Sequence, residues 1–121
     1  MLFHSTRGKD KDKTFEQVLM QGLADDGGLF IPDNWPKVDI NKLKELDTFL
    51  DVAKYIVPMF TQSSFDQGEV EEVLNNTWHN FSEKDLIKIF DIDESTSILE
   101  LFHGPTAAFK DFGLQLAAAF F

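Results

Sequence analysis

The sequence has no cysteine among its 121 residues. That removes disulfide frameworks, thiolate metal sites and cysteine nucleophiles. Basic groups are scarce: 11 lysines and arginines stand against 21 aspartates and glutamates, for a formal net charge of −10. So acidic a chain repels phosphate backbones, and nucleic acid is not an expected partner. Long apolar runs are missing as well. The longest, Leu116 to Phe121, falls far short of the roughly 20 residues of a membrane helix, so no membrane partner is expected. Met1–His4 leads straight into the polar stretch Ser5–Thr14 without the apolar segment of a secretory signal, which makes the cytoplasm the expected location. His79 has no second histidine at ligand spacing, and Asp25–Asp26 lack the spacing of a calcium loop. No metal site is therefore expected.

Phenylalanine is abundant instead: 13 residues, beside two tryptophans and one tyrosine. It carries no polar handle, so its use is burial or docking. The length fits one domain at most. Thr14-x-x-Gln17 and Asp66-x-x-Glu69 read as capping boxes opening helices. The spacing predicts helices near 14–22, 48–62, 66–81 and 109–121, with a short one from Asp39 through Leu46. Phe49, Val52, Ala53, Ile56 and Phe60 form one apolar stripe, which Pro58 is expected to kink or end. Val70, Val73, Leu74, Thr77, Trp78 and Phe81 form another. Strands are expected near 2–5, 28–31 and 97–102. Leu86–Phe90 is ambiguous between helix and strand. Lys9–Lys13 alternates charge and reads as a solvated loop, and Ala24–Gly28 reads as a turn. The fold class is mixed α/β with helices dominating.

Eight of the last ten residues are apolar and cover every face of a helix. A helix of that kind belongs inside a larger protein, so the chain reads as the front end of a longer polypeptide.

The segment with most chemistry is Leu99–Gln115, LELFHGPTAAFKDFGLQ. It reads as strand, Gly-Pro break and helix, with Lys110 in the first helical turn. The positive end of the helix dipole, together with dehydration by Phe109 and Phe112, would disfavour the ammonium form. An amine that is partly neutral near pH 7 suits Schiff-base chemistry. The alternative is a plain surface lysine at a helix start.

Leu101–Asp111, LFHGPTAAFKD, resembles the pyridoxal-phosphate lysine motif of the threonine synthases, with Ala107 where the family commonly has leucine. Ser5–Gly8 (STRG) and Gly22–Pro32 (GLADDGGLFIP) resemble two further stretches of that family, in the same order. The resemblance implies a fold-type II enzyme of several hundred residues that converts O-phospho-L-homoserine and water to L-threonine and phosphate. It implies pyridoxal 5′-phosphate as cofactor and Lys110 as the lysine that binds it and shuttles protons. It further implies that residues 1–95 form a small amino-terminal domain and that 96–121 begin the cofactor-binding α/β region. No glycine-rich phosphate loop follows Lys110, so the remainder of the polypeptide is an expected partner and the isolated chain is expected to be inactive. His103 would line the site or satisfy backbone groups in the turn. Thr106 would line the site or cap the lysine helix. Asp111 would orient Lys110 or favour the helix N-terminus. Two other functions fit: a threonine-synthase-like phospho-lyase acting on a related hydroxy-amino-acid phosphate, and a non-catalytic module docking its apolar end on a partner chain.

Overall fold

The computed structural model describes residues 1–121. Its first unit is built from hydrogen bonds rather than from apolar bulk. Strand β1 (Phe3–Ser5) pairs antiparallel with β2 (Phe30–Pro32), with His4 opposite Ile31. Pro32 lies inside β2 rather than after it, and a two-stranded edge tolerates its missing N–H. The charged segment Lys9–Lys13 is not a free loop. Phe3 and Lys13 exchange both backbone bonds, at 2.9 and 3.0 Å, so this segment borders β1 on its other side. Asp10 explains the folding back: its carboxylate accepts from Gln21 Nε2 at 2.9 Å and from the Asp25 N–H at 3.0 Å.

The Asp25–Gly28 turn is fastened the same way. Asp26 accepts from the Ser5 hydroxyl at 2.6 Å, from the Gly28 N–H at 2.9 Å and from the Lys9 N–H at 3.0 Å. Thr6 and Leu29 add a backbone bond at 2.8 Å, and the Leu29 N–H also donates to Thr6 Oγ1 at 3.1 Å. The STRG and DDGGLF stretches are therefore two halves of one polar clasp.

Between β1 and β2 runs α1 (Phe15–Gln21), opened by Thr14 in the expected capping box with Gln17 and stopped by Gly22 at φ +73°. After β2 comes α2 (Ile40–Lys44), capped by Asp39. Then follow α3 (Phe49–Thr61), capped by Thr48, and α4 (Gln67–Asn75), capped by Asp66 and Glu69 as the pattern predicts. Pro58 does not end α3. The helix runs on to Thr61, whose hydroxyl donates to the Val57 carbonyl at 3.3 Å, while the Gln62 N–H reaches Pro58 O at 3.2 Å.

Helix α4 stops six residues before the predicted Phe81. Trp78 takes φ +64°, outside the helical region, and its indole N–H donates to the Phe112 carbonyl at 3.0 Å. A buried indole needs an acceptor, and a helical Trp78 would direct it elsewhere.

The core lies where α3, α4 and the last helix, α5 (Lys110–Ala119), meet. Ala53, Val70, Leu74 and Trp78 form its centre. Aromatic rings close it from two sides. Phe112 packs on Phe49 at 5.0 Å and Phe81 at 4.9 Å. Phe120 packs on Phe15 at 5.2 Å and Phe65 at 5.1 Å. The phenylalanine excess thus goes largely into edge-to-face and tilted pairs, each stabilising by about 0.5–1.5 kcal/mol beyond burial.

The ambiguous Leu86–Phe90 stretch becomes a strand, β3 (Lys88–Asp91), paired antiparallel with β4 (Ser97–Glu100) in register Ile89 opposite Leu99. The hairpin's apolar side chains are exposed on both faces, among them Ile89, Phe90 and Ile98. The architecture is mixed α/β with helices dominating, in two small antiparallel sheets. No helix is long and apolar enough to cross a membrane.

Candidate active site

Strand β4 ends at Glu100, and the chain turns through Leu101–Phe109 into α5. The Ala107 N–H closes the turn on the Gly104 carbonyl at 3.0 Å, with Ala107 at φ +54°. A left-handed conformation costs a non-glycine residue about 1–2 kcal/mol, so something must hold the turn. That something is Asp111. Its carboxylate accepts from the Thr106 N–H at 2.9 Å and from the Thr106 hydroxyl at 2.7 Å, and the residue is only 5% exposed. A Cβ on Gly104 would lie 2.6 Å from Asp111 Cβ, so glycine is the one residue that fits this approach.

This geometry decides between several sequence-based alternatives. Thr106 does not cap the lysine helix. Phe109 stands at the N-cap with no side-chain hydrogen bond, and the Thr106 hydroxyl donates to Asp111 instead. Asp111 makes no ion pair with Lys110; the ion pairs are His4–Asp33, Lys13–Asp10 and His103–Glu100. The His103 carbonyl accepts from the Ser82 N–H at 2.9 Å and hydroxyl at 3.2 Å, while its ring Nε2 meets Glu100 Oε2 at 2.9 Å. The histidine therefore braces the strand end against the Ser82 loop.

Lys110 is the first residue of α5 and is exposed. It lines an open groove of about 820 Å³ with Phe49, Leu99, Leu101, Phe109 and Phe112. Phe112 points inward onto the core, whereas Phe109 is 65% exposed. The Lys110 side chain itself stays exposed, so the expected dehydration of the amine by these two rings is not met within this chain. The groove places one primary amine against an apolar wall and at the positive end of a helix, which suits condensation with the aldehyde of a planar aromatic cofactor. The phosphate end of such a cofactor needs several donors, and no other side chain lining the groove carries one. The residues present therefore fit the aldehyde end of pyridoxal phosphate and leave its phosphate end to other residues.

Residues 2–78 match the family described as threonine synthase N terminus. The chain belongs to that family. It is 35% identical to the threonine synthase of Pseudomonas aeruginosa over 118 residues, and 35% identical to that of Saccharomyces cerevisiae over 130. These alignments cover 96% and 99% of this chain and 25% of each relative. A threonine synthase-like 2 protein of Xenopus laevis is 32% identical, over 95% of this chain. Among solved structures, a PLP-bound threonine synthase from Brucella melitensis superposes with a TM-score of 0.91 at 32% identity, covering 99% of this chain and 26% of that one. The chain thus spans about a quarter of the length of the threonine synthases it matches. The family match takes in the polar clasp and the α3–α4 core and ends at Trp78; the alignment with the yeast threonine synthase extends through Lys110.

Sequence reasoning misses what Trp78 does at this site: the apolar stripe assigns it to α4, although its indole N–H demands a partner. Asp111 is a candidate in the sequence, as a group orienting Lys110 or favouring the helix N-terminus, but its hold on the Gly104–Thr106 turn is not foreseen there. The signal was a carboxylate in the first turn of an otherwise apolar helix, five residues after a threonine.

Proposed function

We propose that this chain supplies the cofactor lysine of a threonine synthase, the whole enzyme converting O-phospho-L-homoserine and water to L-threonine and phosphate. The observation that carries the reading is the Lys110 amine, set on the first turn of α5 at the rim of an apolar groove within the LFHGPT-AFKD segment. Lys110 would hold pyridoxal phosphate through its amine, and its Nζ would accept and return protons at the substrate carbons. The cofactor, when bound, supplies an electron sink for those carbons. Phe49, Leu99, Leu101 and Phe109 form the apolar wall of the groove beside the amine. The phosphate cradle and the substrate-phosphate site are, in this reading, supplied by residues outside this chain. In this reading residues 1–95 form the amino-terminal domain and 96–121 begin the cofactor-binding region; the division falls in the β3–β4 turn.

The test is borohydride reduction of the whole protein that carries this sequence, loaded with pyridoxal phosphate, followed by peptide mass mapping. A pyridoxyl adduct on Lys110 is expected, and an adduct only on another lysine overturns the assignment. The likeness to a threonine synthase-like 2 protein keeps a second substrate class in view. Phosphate release from O-phosphohomoserine, compared with release from related hydroxy-amino-acid phosphates, decides between a threonine synthase and a phospho-lyase. The isolated 121-residue chain is expected to release none.

A further inference from the structure

We infer that Asp111 is a positioning residue for Lys110: its buried carboxylate ties the Gly104–Thr106 turn to the first turn of α5 and so fixes where the amine is presented. The inference rests on Lys110 being the cofactor lysine and adds to it the device that aims the amine. Three observations carry it.

First, α5 lacks the usual means of fixing its start, because the N-cap residue Phe109 makes no side-chain bond to the helix. A helix start without a cap frays within its first turn, and Lys110 is the first residue of that turn. Second, Asp111 replaces the cap from the inside. Each carboxylate oxygen takes one donor from Thr106, Oδ2 the backbone N–H at 2.9 Å and Oδ1 the hydroxyl at 2.7 Å. Two bonds to one residue fix a direction as well as a distance. Third, the turn so held is strained at Ala107 and sterically matched at Gly104. The carboxylate fills the space that a Cβ at 104 would take, so the turn and the helix move as one piece.

The remaining face of the first turn is held by the Trp78 indole on the Phe112 carbonyl. Asp111 fixes the outer approach to Lys110 and Trp78 the inner one. Only the Asp111 tie lies in the segment that leads directly into the lysine.

The test uses the whole protein with pyridoxal phosphate and reads the rate of adduct formation on Lys110 by borohydride trapping and mapping, beside the melting temperature. Displacing a reacting group by about 1 Å costs up to about a hundredfold in rate. Asp111→Ala is therefore expected to slow adduct formation by about tenfold or more. Asp111→Asn, which keeps one acceptor and lets its amide donate to the Thr106 oxygen, is expected to restore most of that loss. Thr106→Val removes one of the two bonds at an exposed position and is expected to slow the reaction by less than Asp111→Ala, with an unchanged melting temperature. If Asp111→Ala does not fold, Thr106→Val decides. A Lys110 adduct formed at the wild-type rate in Asp111→Ala, or in Thr106→Val where Asp111→Ala does not fold, overturns the role of Asp111 alone. A wild-type adduct on a different lysine overturns the cofactor assignment together with the role of Asp111 toward it.

Discussion

Two aspartates organise the two ends of this molecule by the same chemistry and to different effect. Asp26 and Asp111 each accept a backbone N–H and a side-chain hydroxyl, and each stands where a neighbouring glycine leaves room: Gly28 beside Asp26, Gly104 beside Asp111. Around Asp26 the partners come from three segments, and the clasp they form is closed on itself. Around Asp111 both donors come from one residue, and the turn they fix leads into the Lys110 amine on an apolar, exposed surface. Ile98, Leu99, Phe102, Phe109 and Leu114 are all about half exposed or more there. The first arrangement builds a scaffold; the second builds a mount. An exposed apolar surface of that extent marks a place of contact or ligand binding rather than a finished exterior.

The sharpest way to break the comparison is to remove a lysine beside each aspartate. Lys9 meets Asp26 through its backbone N–H, so Lys9→Ala should leave the clasp and the activity of the whole enzyme as they are. Lys110→Ala should remove covalent cofactor attachment and cost about 10²–10⁴-fold in turnover, the usual scale for a lost proton-transferring group. Steady-state assay of both variants checks this, and equal losses would erase the distinction between scaffold and mount.

A second contrast concerns burial. Leu74 is 1% exposed at the centre of the core, whereas Leu99 is 51% exposed on the groove. Leu74→Ala should destabilise by about 2–5 kcal/mol through lost burial and the cavity left behind. Leu99→Ala should stay within about 0.5 kcal/mol. Urea unfolding of the two variants measures both, and a large loss at Leu99 would mean that the hairpin surface is covered.

The two glycines give a subtler contrast. A Cβ on Gly28 would overlap Ser5 Oγ and come within 2.9 Å of Asp26 Oδ1. Gly28→Ala and Gly104→Ala should therefore each cost about 1–3 kcal/mol by overpacking. Only Gly104→Ala should also slow cofactor attachment to Lys110, because only that turn bears on the amine.

How much of this was legible in the sequence follows from the range of the interactions. Thr14–Gln17, Asp39, Thr48 and Asp66–Glu69 open their helices as read, because a cap is a local bond over three residues. The strands pairing residues about 30 apart were placed roughly, but the return of Lys9–Lys13 along β1 was not. Its cause, Asp10 reaching Asp25, spans 15 residues and leaves no periodic mark. The end of α4 was misplaced for a similar reason. The apolar stripe continues through Trp78 and Phe81, and only the indole's acceptor 34 residues away shows why the backbone leaves the helix. At the candidate site, Lys110 stood out by residue type and motif. The part played by Asp111 did not, since a carboxylate at a helix start favours the dipole whether or not it holds a turn.

Acid titration separates the polar clasp from the rest by charge. The Ser5 hydroxyl, followed by the N–H groups of Gly28 and Lys9, holds the Asp26 carboxyl below its usual value of 3.8. The Asp25 N–H and Gln21 lower Asp10 likewise. A carboxyl whose folded pKa lies below its unfolded one contributes stability that is complete above the unfolded value and is lost as pH falls through the folded one. The clasp should therefore loosen progressively as pH falls below the ordinary carboxyl value of 3.8, with Asp10 and Asp26 acting together. In the hairpin turn the Ser95 N–H and hydroxyl lower Asp93 in the same sense, but that carboxyl holds only its own turn. Asp26→Asn should reduce stability at neutral pH and flatten its acid dependence, whereas Asp93→Asn should change both by less. Amide exchange at Gly28 and Ser95 as pH is lowered reads the two sites separately. Equal sensitivity at both would mean that the clasp gains nothing from joining three segments through one carboxylate.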